Sequence, residues 1–339
     1  MSLPQPQPIK EYAPADRALF DQEIRPSLRP AILRGLASDW PAVRAAKASD
    51  ESLVDYLKRF SKGRRVAAIV GEADIGGRFF YNDDISGLNF KRGQSALDPF
   101  LDRLLRDRGH SSPIAMAVQS EIIADVLPGF EQENQLDLVP AEVQSRAWIG
   151  NRIQVAAHYD LYENIGIVVA GRRRFTLFPP DQIANLYAGP FELTPAGTPV
   201  SLVNVSEPDI DRFPNYAKAA ATALTADLGP GDAIYIPYHW WHAVDSLEPF
   251  NLFVNYWWNE GRSDLGRPYD ALMHAFFALK HLPHEQRDVW RMIFDHYVFE
   301  ANGDPAAHLP PHARGVLGEP TPELLARMRA TLKQIAESL

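Results

Sequence analysis

The sequence predicts a mainly β chain with helical additions, in which many short strands form an antiparallel sandwich or barrel. Two observations carry this. Seven strand-like runs follow one another between residues 146 and 258: RAWIG (146–150), RIQVAAHYD (152–160), NIGIVVAG (164–171), RRFTLFPP (173–180), ALTADLG (223–229), DAIYIPY (232–238) and NLFVNYWW (251–258). They are rich in β-branched and aromatic residues, which suit a pleated surface. Gly, Pro and Asp punctuate them, and no helix of normal length intervenes, which argues against a doubly wound parallel sheet.

The flanking segments read differently. Residues 1–30 are proline-rich and polar, and PAILRGLASDWPAV (30–43) gives a short apolar strand that ends at Gly35. In ESLVDYLKRF, Leu53, Tyr56, Leu57 and Phe60 recur at helical intervals, whereas RRVAAIVG (64–71) is a compact strand-like run. Residues 74–112 are rich in Gly, Asp and Asn and hold one predicted helix over 96–108, with Phe100, Leu101, Leu104 and Leu105 on one face. This part is expected to cover the barrel. After Trp258 the periodicity turns helical over 268–300 and 321–338, with Thr321 as N-cap and Glu323 in the first turn. Three segments result: an N-terminal α/β part (1–120), a β core (121–260) and a C-terminal helical region (261–339).

Composition sets limits on function. With 34 Lys and Arg against 43 Asp and Glu, the net charge of −9 argues against broad attachment to nucleic acid or anionic lipid. The chain has no cysteine. Disulfides, thiolate metal sites and cysteine nucleophiles are therefore excluded, and a metal would be held by imidazole and carboxylate. The N-terminal sequence lacks the basic start and apolar run of a secretory signal, and no membrane-spanning run is present, so a cytoplasmic protein is expected.

The chemistry concentrates at three positions. His158-Tyr159-Asp160 closes a strand-like run, and the two-residue period turns both outer side chains to one side. His242, at the end of GDAIYIPYHWWH (231–242), is the candidate third ligand, with His239 as its rival. Two imidazoles and one carboxylate on one face of a metal leave open positions opposite, an arrangement suited to Fe(II). Alone, His-x-Asp is a weak signal, because a histidine at a strand end more often serves a local hydrogen bond.

The ordered set HYD (158–160), Asn164, AGRRRFTLFPPDQIANLY (170–187), RFPNY (212–216), GPGDAIYIPYHWWHAVDSL (229–247) and VNYWW (254–258) resembles the cupin-like, JmjC-type Fe(II)/2-oxoglutarate-dependent oxygenases. Within that family the pattern resembles that of the asparaginyl hydroxylase acting on hypoxia-inducible factor. The resemblance covers about residues 30–260. It implies a double-stranded β-helix (jelly-roll or cupin) barrel, with His158, Asp160 and His242 as metal ligands. It places Arg173 where a basic residue pairs with the distal carboxylate of 2-oxoglutarate, and Asn164 and Asn255 near the co-substrate and metal.

There are departures from the family pattern. The asparaginyl hydroxylase has lysine at the position of Arg173, which has Arg172 and Arg174 on either side. A family tyrosine falls near Met116, and a family threonine is Val155 or Ala156 here. The expected activity is hydroxylation of a protein side chain or a small molecule. A cupin-type metal enzyme without 2-oxoglutarate, or a sugar- or peptide-binding module, stands as the alternative. The apolar residues of 271–299, among them Phe276, Phe277, Trp290 and Phe294, point to a homodimer through the C-terminal helices.

Overall fold

The computed structural model describes residues 3–338. The described residues form fifteen strands: β1 (Gln7–Pro8), β2 (Lys10–Tyr12), β3 (Ala31–Leu33), β4 (Arg65–Gly71), β5 (Arg78–Phe79), β6 (Lys91–Ala96), β7 (Ala115–Ile122), β8 (Ser145–Gly150), β9 (Gln154–His158), β10 (Glu163–Ala170), β11 (Arg173–Phe178), β12 (Leu224–Leu228), β13 (Ala233–Ile236), β14 (Trp241–Ser246) and β15 (Asn251–Trp258). The last eight divide four and four between two sheets. One holds β12, β11, β14 and β9 in that order, the other β13, β10, β15 and β8. All pairings within the two groups are antiparallel. The result is a jelly-roll barrel of the predicted class.

The N-terminal residues extend both sheets at their edges. β1 and β5 flank the first sheet; β2 and β3 lie on one side of the second, and β7, β4 and β6 on the other. Residue 120 falls within β7, which pairs with both β4 and β8, so the segments expected to meet there share one sheet. The chain divides between Asn259 and Glu260 into two compact units.

Strand alternation sorts the core. On β10, Ile165, Ile167 and Val169 point outward into a core cluster, where the helix Pro41–Ala48 packs on the strand and the buried faces of the helices Asp50–Ser61 and Leu97–Asp107 join it. Val168 points the other way, to meet Phe175, Ile234 and Phe253 between the sheets. Burying each such side chain contributes roughly 1.5–3 kcal/mol. The helix Asp50–Ser61 starts where the Ser49 side chain accepts the Ser52 N–H and buries Leu53, Tyr56, Leu57 and Phe60, as its spacing predicts.

Three features depart from the expected strand pattern. KRGQSA of β6 is polar and exposed, and it becomes a strand only by pairing with β4 along its whole length. β7 lacks clean alternation because of a bulge: Val118 and Glu121 face Ile149 and Ala147, so three steps on β7 match two on β8. The run expected to end at His242 is broken. β13 stops at Ile236, His239 adopts φ +60°, and β14 begins at Trp241.

The second unit contains the helices Pro268–Ala278, His284–Tyr297 and Pro322–Glu337, the last capped by Thr321, whose side chain accepts the Leu324 N–H. Phe277, Trp290 and Phe299 are exposed. No helix among the described residues is long and apolar enough to cross a membrane.

Candidate metal centre

β9 and β14 are neighbours, and their register sets His158 directly opposite His242. The ring centroids are 4.3 Å apart. β9 ends at His158, so Asp160 belongs to the following turn rather than to the strand, yet that turn returns its carboxylate to the histidines. The ligating atoms of all three residues lie within 4.8 Å of one another. Among the described residues, this is the one His/Cys/Asp/Glu group placed to hold a metal.

Each imidazole is oriented by its own strand. Nδ1 of His158 donates to the Ala156 carbonyl at 2.9 Å, and Nδ1 of His242 to the Trp240 carbonyl at 3.0 Å. A carbonyl can only accept, so Nδ1 carries the proton and Nε2 keeps its lone pair for a metal. Burial, and secondarily the neighbouring His158, pushes His242 down to about 4 against the opposing pull of Asp160. The imidazole is thus neutral near pH 7, the form a metal requires.

Asp160 sits in a closed network. Its Oδ2 accepts from Trp257 Nε1 at 3.0 Å and from Asn164 Nδ2 at 3.3 Å. Asn255 donates to Asn164 Oδ1 at 3.1 Å and accepts from Trp148 Nε1 at 2.8 Å. The ring of Trp148 meets Trp257 edge-on, at 5.8 Å. Both candidate asparagines are therefore present, engaged in holding the carboxylate. Sequence reasoning does not find Trp257, because a tryptophan in such a run is more often core or pocket wall. The usable signal is alternation from Asn255, which puts residue 257 on the same face of β15.

These residues open into a cavity of about 470 Å³. Arg173, 6% exposed, also lines it; its Nε is buried without a hydrogen-bond partner, and no carboxylate pairs with its guanidinium among the described residues. Burial pushes this group down to about 9. The guanidinium lies over the Phe253 ring, 4.8 Å from its centroid. That ring occupies the space beside Gly166: a Cβ there would fall 1.9 Å from Phe253 Cζ. Arg172 and Arg174 point outward to Glu248 and Asp227, so of the three arginines only Arg173 faces the cavity. Met116 is buried in the core, while Val155 and Ala156 line the cavity. His239 stacks on Tyr159 at 5.0 Å and stays outside the three-residue group.

A cupin-like domain model matches residues 17–264. The chain belongs to the cupin-like domain family. The family's JmjC-type relatives include human (Homo sapiens) HSPB1-associated protein 1, 31% identical over 264 residues, 74% of this chain and 52% of the relative. Lysine-specific demethylase JMJ31 of Arabidopsis thaliana is 24% identical over 268 residues, 70% and 47% of the two chains. tRNA wybutosine-synthesizing protein 5 of Mus musculus is 31% identical over 153 residues, 41% and 45%. This cupin-like chain spans about half the length of the curated relatives it matches.

Proposed function

We propose that this chain is an Fe(II)- and 2-oxoglutarate-dependent hydroxylase, with the metal held by His158, Asp160 and His242. One observation carries the co-substrate assignment: Arg173, a buried guanidinium without an anionic partner, lines the same cavity that the three ligands open into. A buried unpaired cation is destabilising, and a carboxylate arriving there removes the penalty through charge-assisted hydrogen bonds. The distal carboxylate of 2-oxoglutarate fits this role. The donor set fits Fe(II) equally: two imidazoles whose Nδ1 atoms are held by backbone carbonyls and one carboxylate, leaving room for further ligands.

Iron and 2-oxoglutarate, when bound, supply an oxidant that replaces C–H by C–OH while the co-substrate is converted to succinate and CO₂. The chain supplies orientation. The Ala156 and Trp240 carbonyls fix the imidazoles, Trp257 and Asn164 hold Asp160, and Phe253 steadies Arg173. The alternation of β15 aligns Phe253, Asn255 and Trp257 along one wall, so these supports act on a single face.

The names of relatives, a lysine-specific demethylase and a tRNA-modifying protein, span two substrate classes. For this chain we favour a protein side chain, ahead of a small molecule. We also propose self-association of the C-terminal helices through exposed Phe277 and Trp290; light scattering that gives a monomer mass would refute it. The co-substrate reading is tested by anaerobic titration of Fe(II)-loaded protein with 2-oxoglutarate. A weak visible charge-transfer absorption that His158→Ala abolishes is expected. Iron binding without that absorption would sink the co-substrate assignment.

A further inference from the structure

From the metal group outward, the cavity crosses five adjacent strands of the nine-stranded sheet. It passes Trp257 on β15 and Trp148 on β8, runs over Gln119 and Ser120 on β7, crosses β4, and ends at Arg92 on β6, the last strand of the sheet. The outer part, from β7 to β6, spans two strand spacings, about 10 Å, or about three residues of extended chain.

This outer chamber has unusual polar equipment. Ser120 adopts φ +55° in the middle of a strand, at the β7 bulge. Arg146 holds it there, with Nη1 2.9 Å from the Ser120 carbonyl and 3.2 Å from its hydroxyl. The same guanidinium lies over the Trp257 ring at 5.6 Å, which ties the bulge to the residue that supports Asp160. Non-glycine residues with positive φ persist where surrounding contacts hold them, and they concentrate at functional sites. Next to Ser120, Gln119 lines the cavity, and its side chain makes no hydrogen bond to protein among the described residues. At the mouth, Arg92 Nη2 reaches only two neutral carbonyls, Thr194 at 3.2 Å and Pro195 at 3.4 Å.

Charge inventory gives the substrate class. Asp160 is the sole carboxylate residue lining the cavity among the described residues. With Asp160 on the metal and Arg173 matched by the co-substrate, Arg92 is the one lining arginine left without an anion. We infer that the outer chamber is a subsite for an extended acidic peptide. The Gln119 carboxamide, which can donate and accept at once, pairs with a peptide bond, and Arg92 pairs with an acidic side chain about three residues further along. A nucleic-acid strand would need a row of cations to match its phosphates, whereas the cavity mouth offers one. The inference rests on the oxygenase reading, because it assigns the inner chamber to the co-substrate.

The test is selection of displayed random peptides on the full chain loaded with Mn(II) and 2-oxoglutarate, repeated on Arg92→Glu. Wild type should enrich Asp or Glu at one position about three residues from a shared anchor. Arg92→Glu should enrich Lys or Arg at that position, and Arg92→Gln should bind the wild-type-selected peptides about fivefold more weakly. Gln119→Leu should weaken the same peptides whatever their charge. No enriched sequence, the same charge preference on Arg92→Glu, or capture of a labelled RNA oligonucleotide that Arg92→Glu abolishes would each overturn the proposal. Anaerobic co-substrate titration of wild type and Arg92→Glu separates the two readings. Equal charge-transfer absorption in both leaves the oxygenase assignment standing whichever way the selection falls, and its absence from wild type counts against that assignment instead.

Discussion

The indole N–H of Trp257 lies 3.0 Å from Oδ2 of Asp160, the same oxygen that Asn164 reaches from the neighbouring strand. With two donors on one oxygen, the carboxylate is held in a single orientation toward the two histidines. Trp257→Phe keeps the ring and removes the donor. It should weaken Co(II) or Mn(II) binding by about 10- to 100-fold while leaving the circular dichroism unchanged. Unaltered metal affinity would show that Asn164 alone suffices.

Arg173 makes a two-sided prediction. Arg173→Gln removes a buried charge that has no partner, so the protein without co-substrate should become more stable, by about 1–3 kcal/mol. The same change should reduce 2-oxoglutarate affinity at least about tenfold, since a charge-assisted pair is lost. Urea unfolding and anaerobic titration read the two effects separately. A loss of stability without co-substrate would mean that the guanidinium already has a compensating anion.

His242 gives a pH dependence for the metal-free protein. Its folded value is depressed to about 4 from an ordinary 6.5. Between pH 6.5 and 4 the unfolded chain therefore holds the extra proton, and stability present above 6.5 is lost as the pH falls. The contribution is on the order of 3 kcal/mol. Unfolding free energies at pH 7 and 4.5 should converge between wild type and His242→Asn as the pH drops, and parallel curves would refute this account. Metal affinity should hold down to about pH 5 and fall as the pH approaches 4, where protons begin to compete for His242 in the folded protein.

Gly166→Ala probes the wall that steadies Arg173. The added methyl meets Phe253 well inside contact distance, so the ring must move and Arg173 loses its cation-π contact with it. A destabilisation of about 1–3 kcal/mol is expected, together with weaker co-substrate binding. A stability within experimental error of wild type would mean that the ring shifts freely.

The barrel is legible in the sequence because its strands carry β-branched runs and sharp turn residues, and His158, Asp160 and His242 can be paired by motif order. Alternation singles out Arg173 from its neighbours, and burial of that side chain beside exposed Arg172 and Arg174 follows the same period. β6 and β7 are not legible in this way. The first is polar and gains strand form only from its partner β4; the second contains a bulge that breaks the period at Gln119 and Ser120. The network around Asp160 is hidden for a different reason: Trp148, Asn255 and Asn164 lie on three strands, and sequence spacing alone does not give the register between them.

The pairing of His158 with His242 joins strands roughly eighty residues apart. Closing so long a loop is slow compared with forming local turns. As the chain leaves the ribosome, His158 and Asp160 emerge well before β14 exists, so a half-made protein offers two ligands and no third. A metal held tightly by all three residues would therefore report that the barrel has closed, a latecomer to a finished vessel rather than the seed around which it forms.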